Sequence, residues 1–321
     1  MSILTQVSRD GLSDIDKISV VFFGTGYVSQ QSLAALSEHF QIEAVVSKAN
    51  QSNRSTQAQD SEVMLWSKQH RIPTHVANTS AEVEEIFSNH GFASRLAIVV
   101  DFGVIISQSV IDYFESGILN SHFSLLPKWR GADPISFAIW AGDEKTGVSL
   151  MKIVSKLDEG PIVGDQVEYS IKTNENSASL TQELINLSNQ QMIEKIPLYL
   201  GDDLVISEQD HSAATYSRKL TRADGKINWH NSTNEIDRQI RALIEWPVAY
   251  SEFGAIETKV YEATIGEERG TPGELFIKNR KLAVYTGDGS LQLDTLQPAN
   301  KSKMSGQDFL NGYRNKLDLA G

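Results

Sequence analysis

Nearly continuous apolar runs constrain the fold of the first half of this 321-residue chain more strongly than any other feature. Such runs are Ile18–Phe23, Ile42–Val46 and Leu96–Val100. A strand that is buried on both faces needs apolar side chains on both, as in a parallel sheet covered by helices. Helical spacing occurs between the runs, as at Val83, Ile86 and Phe87, which follow a capping Thr79. The pattern predicts an α/β domain with a doubly wound, mostly parallel, Rossmann-like sheet.

The second half of the chain has a different pattern of apolar residues. Short alternating segments are Val248–Phe253, Lys259–Ile265, Gly273–Ile277, Lys281–Tyr285 and Leu291–Leu296. Strands at such spacing are typical of a small β-barrel. A long helix from about Ser177 to Leu200 is expected before the change. We therefore predict a polar extension over residues 1–17, an α/β domain over 18–204, a polar linker over 205–214 and a barrel domain over 215–321.

Composition excludes several classes of protein. The chain has no cysteine, so disulfides and thiol nucleophiles are excluded, and a reducing cytoplasm is the expected location. No apolar stretch approaches the roughly 18 residues of a membrane helix, and the N-terminus lacks the apolar segment of a signal peptide. The net charge is -12, and it is uneven. Residues 1–205 carry 14 basic and 25 acidic side chains, whereas residues 206–321 carry 15 and 16. A nucleic-acid partner would therefore need positive surface from the second half or from the rim of a cleft.

A glycine-rich turn follows the first apolar run, at Gly24-Thr25-Gly26. Ser29 stands where the dinucleotide fingerprint has its third glycine, and Ser47-Lys48 stand where it has an acidic residue. We expect a tight strand-to-helix turn at the carboxyl edge of the sheet, an edge where such sheets bind ligands. A nicotinamide-dependent oxidoreductase is the alternative, and it rests on these glycines alone.

Asn120 and His122 lie two residues apart at the end of another expected strand, so their side chains share a face. The amide can donate to a developing oxyanion, and Asp158, in a turn between two strands, can return to the same edge and orient the imidazole. The chain has no G-x-S-x-G nucleophile elbow, and its seven histidines lack the spacing of metal ligands. The three side chains fit direct acyl transfer to an external nucleophile, without a metal and without a covalent enzyme intermediate.

The segment NSHFSLLPKWRGADP at 120–134, followed by LDEGP at 157–161, resembles the 10-formyltetrahydrofolate-dependent formyltransferases. The resemblance implies that Asn120 polarises the formyl oxygen and that His122 stabilises the tetrahedral oxyanion as an imidazolium. It implies that Asp158 positions a water or His122 and helps to move the proton of the attacking amine.

The resemblance also implies a folate site for the co-substrate 10-formyltetrahydrofolate. The stretch VVDFGVII at 99–106 is similar to the segment whose main chain contacts the pterin in this family. The Leu-Leu-Pro turn would line the same pocket. The folate candidates are Phe102, Gly103, Val104, Ser124, Leu125, Leu126 and Pro127.

Segments 215–229, 236–247, 272–275 and 296–310 resemble those family members that formylate initiator methionyl-tRNA. This implies an OB-like barrel that binds the tRNA acceptor arm, a role in translation initiation and a monomeric protein. The candidate tRNA contacts are Arg54, Arg130, Lys219, Arg222, Lys301 and Lys303.

One departure concerns the loop after the second strand, which is basic in these family members. Here residues 49–60 contain Arg54 as their one cation. A formyltransferase that acts on the amino group of a nucleotide-linked sugar would explain this loop, but it would leave the C-terminal segments unexplained. A folate-binding protein without turnover is a third possibility, and the intact set of Asn120, His122 and Asp158 argues against it.

Overall fold

A computed structural model describes residues 18–49, 59–317 and 319 of the chain. The described residues form two compact units. The first contains the residues up to Ser121 together with Lys152–Ser155 and Asn189–Val205. The second contains His122–Met151, Lys156–Ser188 and the residues from Ile206 onward. The polar extension predicted over 1–17 lies outside the described residues, and the predicted domain boundaries remain a prediction.

A parallel sheet is the centre of the first unit. Its strands are β1 (Ser19–Gly24), β2 (Gln41–Ser47), β3 (Thr74–Val76), β4 (Leu96–Val100) and β5 (Ile118–His122). They follow the order β5-β4-β1-β2-β3, and each neighbouring pair is parallel. Every residue of β4 is buried, as are Val20 to Gly24 of β1. The continuous apolar runs are therefore strands with two covered faces, as the sequence predicts.

Helices connect these strands. They are α1 (Tyr27–Ser37), α2 (Glu62–Gln69), α3 (Ser80–Asn89) and α4 (Gln108–Tyr113). The Thr79 side chain caps α3 by accepting a hydrogen bond from the backbone of Glu82. Val83, Ile86 and Phe87 are buried in a core cluster with strands β1 and β4, which confirms the expected helix face.

The elements that follow β5 lie mostly in the second unit. They are β6 (Arg130–Gly131), α5 (Pro134–Ala141), β7 (Lys145–Lys152), β8 (Ile162–Val163), β9 (Val167–Ser170), α6 (Ser177–Leu200) and β10 (Ile206–Ser207). The last residue of β7 and the part of α6 from Asn189 onward belong to the first unit. Strand β7 pairs with β8 and β9, and β8 pairs with β10. Strands β8 and β9 are separated at Gly164, which has a left-handed φ of 64°. The predicted long helix agrees with α6.

The rest of the second unit begins with β11 (Tyr216–Ser217), which pairs with β6, and continues as an antiparallel, curled half-barrel with two α-helices. The elements of the half-barrel are α7 (Thr233–Ala242), β12 (Tyr250–Phe253), β13 (Ile256–Gly266), β14 (Leu275–Lys278), β15 (Lys281–Tyr285), β16 (Ser290–Pro298), β17 (Met304–Ser305) and α8 (Gly306–Tyr313). The strand order is β12-β13-β16-β15-β14, with β17 beside β16. Ile236 and Ile240 of α7 are buried against this sheet, as their helical spacing indicates. The predicted succession of a parallel α/β sheet and a barrel-like sheet is confirmed in this form.

A hairpin and a helix length complete the comparison with the sequence. The turn at Thr286–Gly289 joins β15 to β16, and the backbone N–H of Thr286 donates to the carbonyl of Gly289 at 2.9 Å. Within the ranges that the structure describes, no helix combines the length and the apolar character needed to cross a membrane.

Candidate active site

The end of strand β5 carries the first two predicted catalytic side chains. Ile118 and Leu119 are fully buried, Asn120 is half-buried, and His122 is 6 % exposed. Side chains on a strand alternate between its faces, so Asn120 and His122 point to the same face of β5. The buried apolar start of the strand fixes the polar end in place.

The His122 imidazole has a defined orientation. Its Nε2 lies 2.9 Å from the carbonyl oxygen of Trp129, and a carbonyl can only accept, so Nε2–H is the donor. This leaves Nδ1 facing the Asp158 carboxylate, with 3.9 Å between Nδ1 and Oδ1. That distance exceeds a direct hydrogen bond but places a negative charge beside the ring. The structure thus brings together His122 and Asp158, which are far apart in sequence.

The Asp158 carboxylate is held by the backbone of β6. Its Oδ2 accepts a hydrogen bond from the N–H of Gly131 at 2.8 Å, and its side chain is 10 % exposed. Asp158 has a φ of 52°, in the left-handed region that aspartate tolerates better than most residues. One carboxylate oxygen is therefore fixed by Gly131, and the other faces His122.

Gly131 occupies a place that admits no side chain. Strand β6 pairs in parallel with β11, so that Gly131 lies opposite Ser217. A Cβ on Gly131 would lie 2.0 Å from the Ser217 carbonyl oxygen, and the φ of 113° also favours glycine. The Arg-Gly pair of the sequence motif is thus explained by a close backbone contact next to Asp158.

Two buried side chains near Asp158 were not predicted in this role. Arg130 is 1 % exposed, and its Nη2 and Nε donate to the Gln209 side-chain oxygen at 2.8 and 3.1 Å. Gln209 in turn donates through Nε2 to the carbonyl oxygens of Asp158 and Gly160, at 2.8 and 2.7 Å. No motif marks Gln209, which stands in the polar segment predicted as a linker. Arg130 does stand out in the sequence, because it belongs to the Arg-Gly pair that follows the Leu-Leu-Pro turn.

The folate candidates after β4 belong to the first unit. Phe102 is buried in its core and packs edge-on against Phe23, with ring centroids 5.3 Å apart. Gly103 is exposed with a φ of 67°, and a Cβ there would meet no atom within 4 Å. Val104 is half-buried against the same core. Of these three candidates, Gly103 is thus the exposed one, with open space where a side chain would lie.

The folate candidates after β5 belong to the second unit. Leu126 is buried with Met151 and Ile162, and its backbone N–H donates to the Ser149 hydroxyl at 3.0 Å. Ser149 donates at 2.6 Å to the carbonyl oxygen of Ser124, a buried residue. Leu125 and Pro127 are half-buried. Ser124 and Leu126 thus fix the turn, whereas Leu125 and Pro127 retain surface that a flat ring could contact.

The candidate tRNA contacts have different surroundings. Lys219, Arg222, Lys301 and Lys303 are exposed, as phosphate contacts must be. Arg222 is paired with Glu257 at 2.7 Å, and the Lys303 ammonium lies 3.5 Å from the centroid of a tyrosine ring. Arg54 lies outside the described residues. Arg130 is buried, so a phosphate could reach its guanidinium only if the Arg130 side chain left Gln209.

The Gly24–Gly26 turn is tight. Strand β1 ends at Gly24 and α1 begins at Tyr27. The Ser29 hydroxyl donates to the Val100 carbonyl and accepts from the backbone N–H of Thr25 at 3.0 Å. A side chain on Gly24 would lie 2.6 Å from the Ser29 Cβ. Ser29 thus ties the ends of β1 and β4 together, as expected for a structural turn.

Comparison with known proteins identifies the class to which this fold and site belong. A family model described as formyl transferase matches residues 16–196, and one described as formyl transferase, C-terminal domain, matches residues 219–314. The protein is thus an enzyme of the formyl-transferring class, and the chain belongs to the formyltransferase family.

Among curated proteins, the chain is similar to methionyl-tRNA formyltransferases of Streptococcus pyogenes. It is 32 % identical over 306 residues to that of serotype M2 (strain MGAS10270), covering 94 % of this chain and 98 % of the relative. The serotype M1 protein is also 32 % identical over the same length.

Solved structures with the same fold are more distant in sequence. HypX from Aquifex aeolicus matches with a TM-score of 0.66 and 16 % identity, over 95 % of this chain, which spans about half (49 %) of HypX. An N-formyltransferase from Helicobacter canadensis, solved with folinic acid and dTDP-3-aminofucose, matches with a TM-score of 0.65 and 20 % identity. It covers 89 % of this chain and 100 % of its own. At these identities the likeness concerns the fold alone.

Proposed function

We propose that this protein transfers the formyl group of 10-formyltetrahydrofolate to the amino group of initiator methionyl-tRNA. The observation that carries the proposal is the 32 % identity to methionyl-tRNA formyltransferases over nearly the full length of both chains. The similarity includes the C-terminal half-barrel, which matches the C-terminal formyltransferase domain. A role in translation initiation and a cytoplasmic location follow as parts of the proposal.

The chemistry requires positioning more than it requires a nucleophilic side chain. The neutral amine of the methionyl group attacks the formyl carbon, and a new C–N bond forms as the carbonyl oxygen becomes an oxyanion. The bond from that carbon to the folate nitrogen then breaks, and the proton lost by the amine passes to the folate nitrogen. Holding two substrates in this geometry removes most of the entropic barrier.

Each catalytic candidate has a place in this scheme. Asn120 donates from its amide to the formyl oxygen. His122, oriented by the Trp129 carbonyl, stabilises the oxyanion as an imidazolium, and the Asp158 carboxylate lies 3.9 Å from its Nδ1. Asp158 also assists the movement of the proton from the amine.

The surroundings of the folate candidates fit an apolar ring system with polar edges. In the first unit, Gly103 offers open backbone and the neighbouring Ile105 is 79 % exposed. In the second unit, Leu125 and Pro127 offer apolar surface on a turn that Ser149 and Gln166 hold through hydrogen bonds. We propose each segment, taken by itself, as a candidate contact for 10-formyltetrahydrofolate.

For the acceptor, we propose that Lys219, Arg222, Lys301 and Lys303 contact tRNA phosphates. All are exposed side chains of the second unit and lie within residues 206–321, which carry 15 basic and 16 acidic side chains. Such contacts supply affinity that falls with salt. A monomer is sufficient for this scheme.

The test is a comparison of acceptors. Purified protein and 10-formyltetrahydrofolate are incubated in parallel with charged initiator tRNA and with nucleotide-linked amino sugars, and the formylated product is identified by mass. We expect formylmethionyl-tRNA and no formylated sugar. Formylation of the sugar alone would leave the formyl-transfer chemistry standing and refute the proposed acceptor.

A further inference from the structure

Gln209 makes hydrogen bonds with both the oxygen and the nitrogen of its side-chain amide. It is 6 % exposed, and its Nε2 donates to two main-chain carbonyls, those of Asp158 at 2.8 Å and Gly160 at 2.7 Å. These carbonyls lie on either side of Glu159. One amide group therefore fixes the loop that carries Asp158 at two points.

Arg130 determines which way the Gln209 amide faces. A guanidinium has donors and no acceptor, so its Nε and Nη2 can face only the amide oxygen of Gln209. The amide NH₂ must then face the loop. The buried charge has further partners, since Nη2 donates to His211 Nδ1 at 2.8 Å and Nη1 lies 3.6 Å from a Glu159 carboxylate oxygen.

The Asp158 loop needs such support. Asp158 has a φ of 52°, and a non-glycine residue in the left-handed region persists only where its surroundings fix it. Strand β6 supplies both restraints, because the Gly131 N–H holds the carboxylate and the Arg130 side chain holds Gln209. Gly131 thus holds the Asp158 carboxylate, and Arg130 holds the Asp158 backbone through Gln209.

We infer that Gln209 is a positioning residue for the Asp158 carboxylate and that Arg130 is its anchor. The sequence predicted Arg130 as a phosphate contact, whereas in this inference it is a buried residue that holds Gln209. The inference rests on the proposed function, since formyl transfer is its readout, but it concerns the rate of transfer and not the identity of the acceptor.

The first test is Gln209→Glu, measured by steady-state formyl transfer. The substitution keeps an acceptor for the Arg130 charge and replaces both amide donors by a carboxylate oxygen, which repels the carbonyls of Asp158 and Gly160. We expect kcat to fall roughly 10- to 100-fold, as for a displacement of about 1 Å in a reacting group. The KM values of both substrates should change by less than about threefold, because Gln209 is buried and its amide is already bonded to Arg130 and to the carbonyls of Asp158 and Gly160.

Gln239 provides a matched control. It is a buried glutamine of the same unit, and its Nε2 also donates to two main-chain carbonyls, those of Asp224 and Lys226. Gln239→Glu makes the same chemical change and should lower the unfolding midpoint without lowering kcat. An equal loss of kcat in both variants would show a general structural effect and overturn the inference.

A double-mutant cycle separates positioning from stability. If Gln209 acts through Asp158, Gln209→Glu should reduce kcat far less in an Asp158→Asn background than in the parent. Equal reductions in the two backgrounds would overturn the inference.

Arg130→Lys decides the question if Gln209→Glu fails to fold. Lysine keeps the positive charge but has a single nitrogen in place of the two that contact Gln209, so kcat should fall several-fold with unchanged KM values. A folded Arg130→Lys protein with parental kcat would overturn the inference. Parent protein that transfers no formyl group to methionyl-tRNA would refute the proposed function instead, and the same comparison would then be made on the acceptor that is formylated.

Discussion

Replacing Asp158 by asparagine isolates the contribution of its charge. Asparagine keeps an acceptor oxygen for the Gly131 N–H and has nearly the same shape, so the folded structure should remain. What is lost is a negative charge 3.9 Å from His122 Nδ1, in a pair whose side chains are 7 % and 10 % exposed. At that distance, an effective dielectric constant of about 20 gives an interaction of about 4 kcal/mol with an imidazolium. This sets the upper limit of the loss at about a thousandfold in kcat.

The assay is steady-state transfer from 10-formyltetrahydrofolate to methionyl-tRNA at saturating concentrations of both. We expect kcat of Asp158→Asn to fall roughly 100- to 1000-fold and the free energy of unfolding to change by less than about 1 kcal/mol. Asp294→Asn is the matched control, since Asp294 is a carboxylate of the half-barrel paired with Lys281 at 2.6 Å. A kcat of Asp158→Asn within about threefold of the parent would refute the electrostatic role of Asp158.

Three further substitutions follow from the geometry. Asn120→Ala should lower kcat by the roughly 2.7–4 kcal/mol of an oxyanion donor, about 100- to 1000-fold, in the same transfer assay. Gly131→Ala should lower the free energy of unfolding by at least about 2 kcal/mol in urea titrations, because its Cβ would lie 2.0 Å from the Ser217 carbonyl. Asp133→Asn should stabilise the protein near neutral pH, because burial raises the pKa of Asp133 above its ordinary 3.8 and makes its ionised form costly.

The sign of the Asp133 effect sets its pH range. Between the unfolded pKa of 3.8 and the raised folded pKa, the folded protein binds more protons, so parent stability falls as pH rises through that window. The stability gained by Asp133→Asn relative to the parent should therefore be present above this pH window and disappear below it. A difference that is constant with pH would contradict the assignment. A parental kcat for Asn120→Ala would contradict its role as an oxyanion donor. A Gly131→Ala protein as stable as Gly103→Ala, where the added Cβ meets open space, would contradict the predicted clash with Ser217.

The sequence predicts the parts of this fold that depend on local pattern. The run at Leu96–Val100 is apolar on both faces because every residue of β4 is buried, whichever face of the sheet its side chain is on. The helix over Ser177–Leu200 has the bounds that its spacing indicates. The strand end at Asn120 and His122 is equally local, since a period of two fixes which face each side chain uses.

Contacts between distant segments are what the sequence could not supply. Nothing in the polar stretch 205–214 shows that Gln209 is buried, because its partners lie near residues 130 and 160. A polar segment can be buried when other loops satisfy its hydrogen-bonding groups, as the carbonyls of Asp158 and Gly160 do for the Gln209 amide at 2.8 and 2.7 Å. Arg130 was predicted as a surface contact for the same reason, since an isolated arginine carries no sign of a buried partner.

In the proposed reaction, a formyl group passes directly to the methionyl amine, with Asn120 and His122 as catalytic residues. The most direct test follows a labelled formyl group from 10-formyltetrahydrofolate in a single turnover with methionyl-tRNA, using the parent protein and Asn120→Ala/His122→Ala. The account predicts label on the methionine nitrogen with the parent, and a rate at least about 100-fold lower with the double variant. Equal rates for the two proteins, or label found only in formate or on an amino sugar, would contradict it.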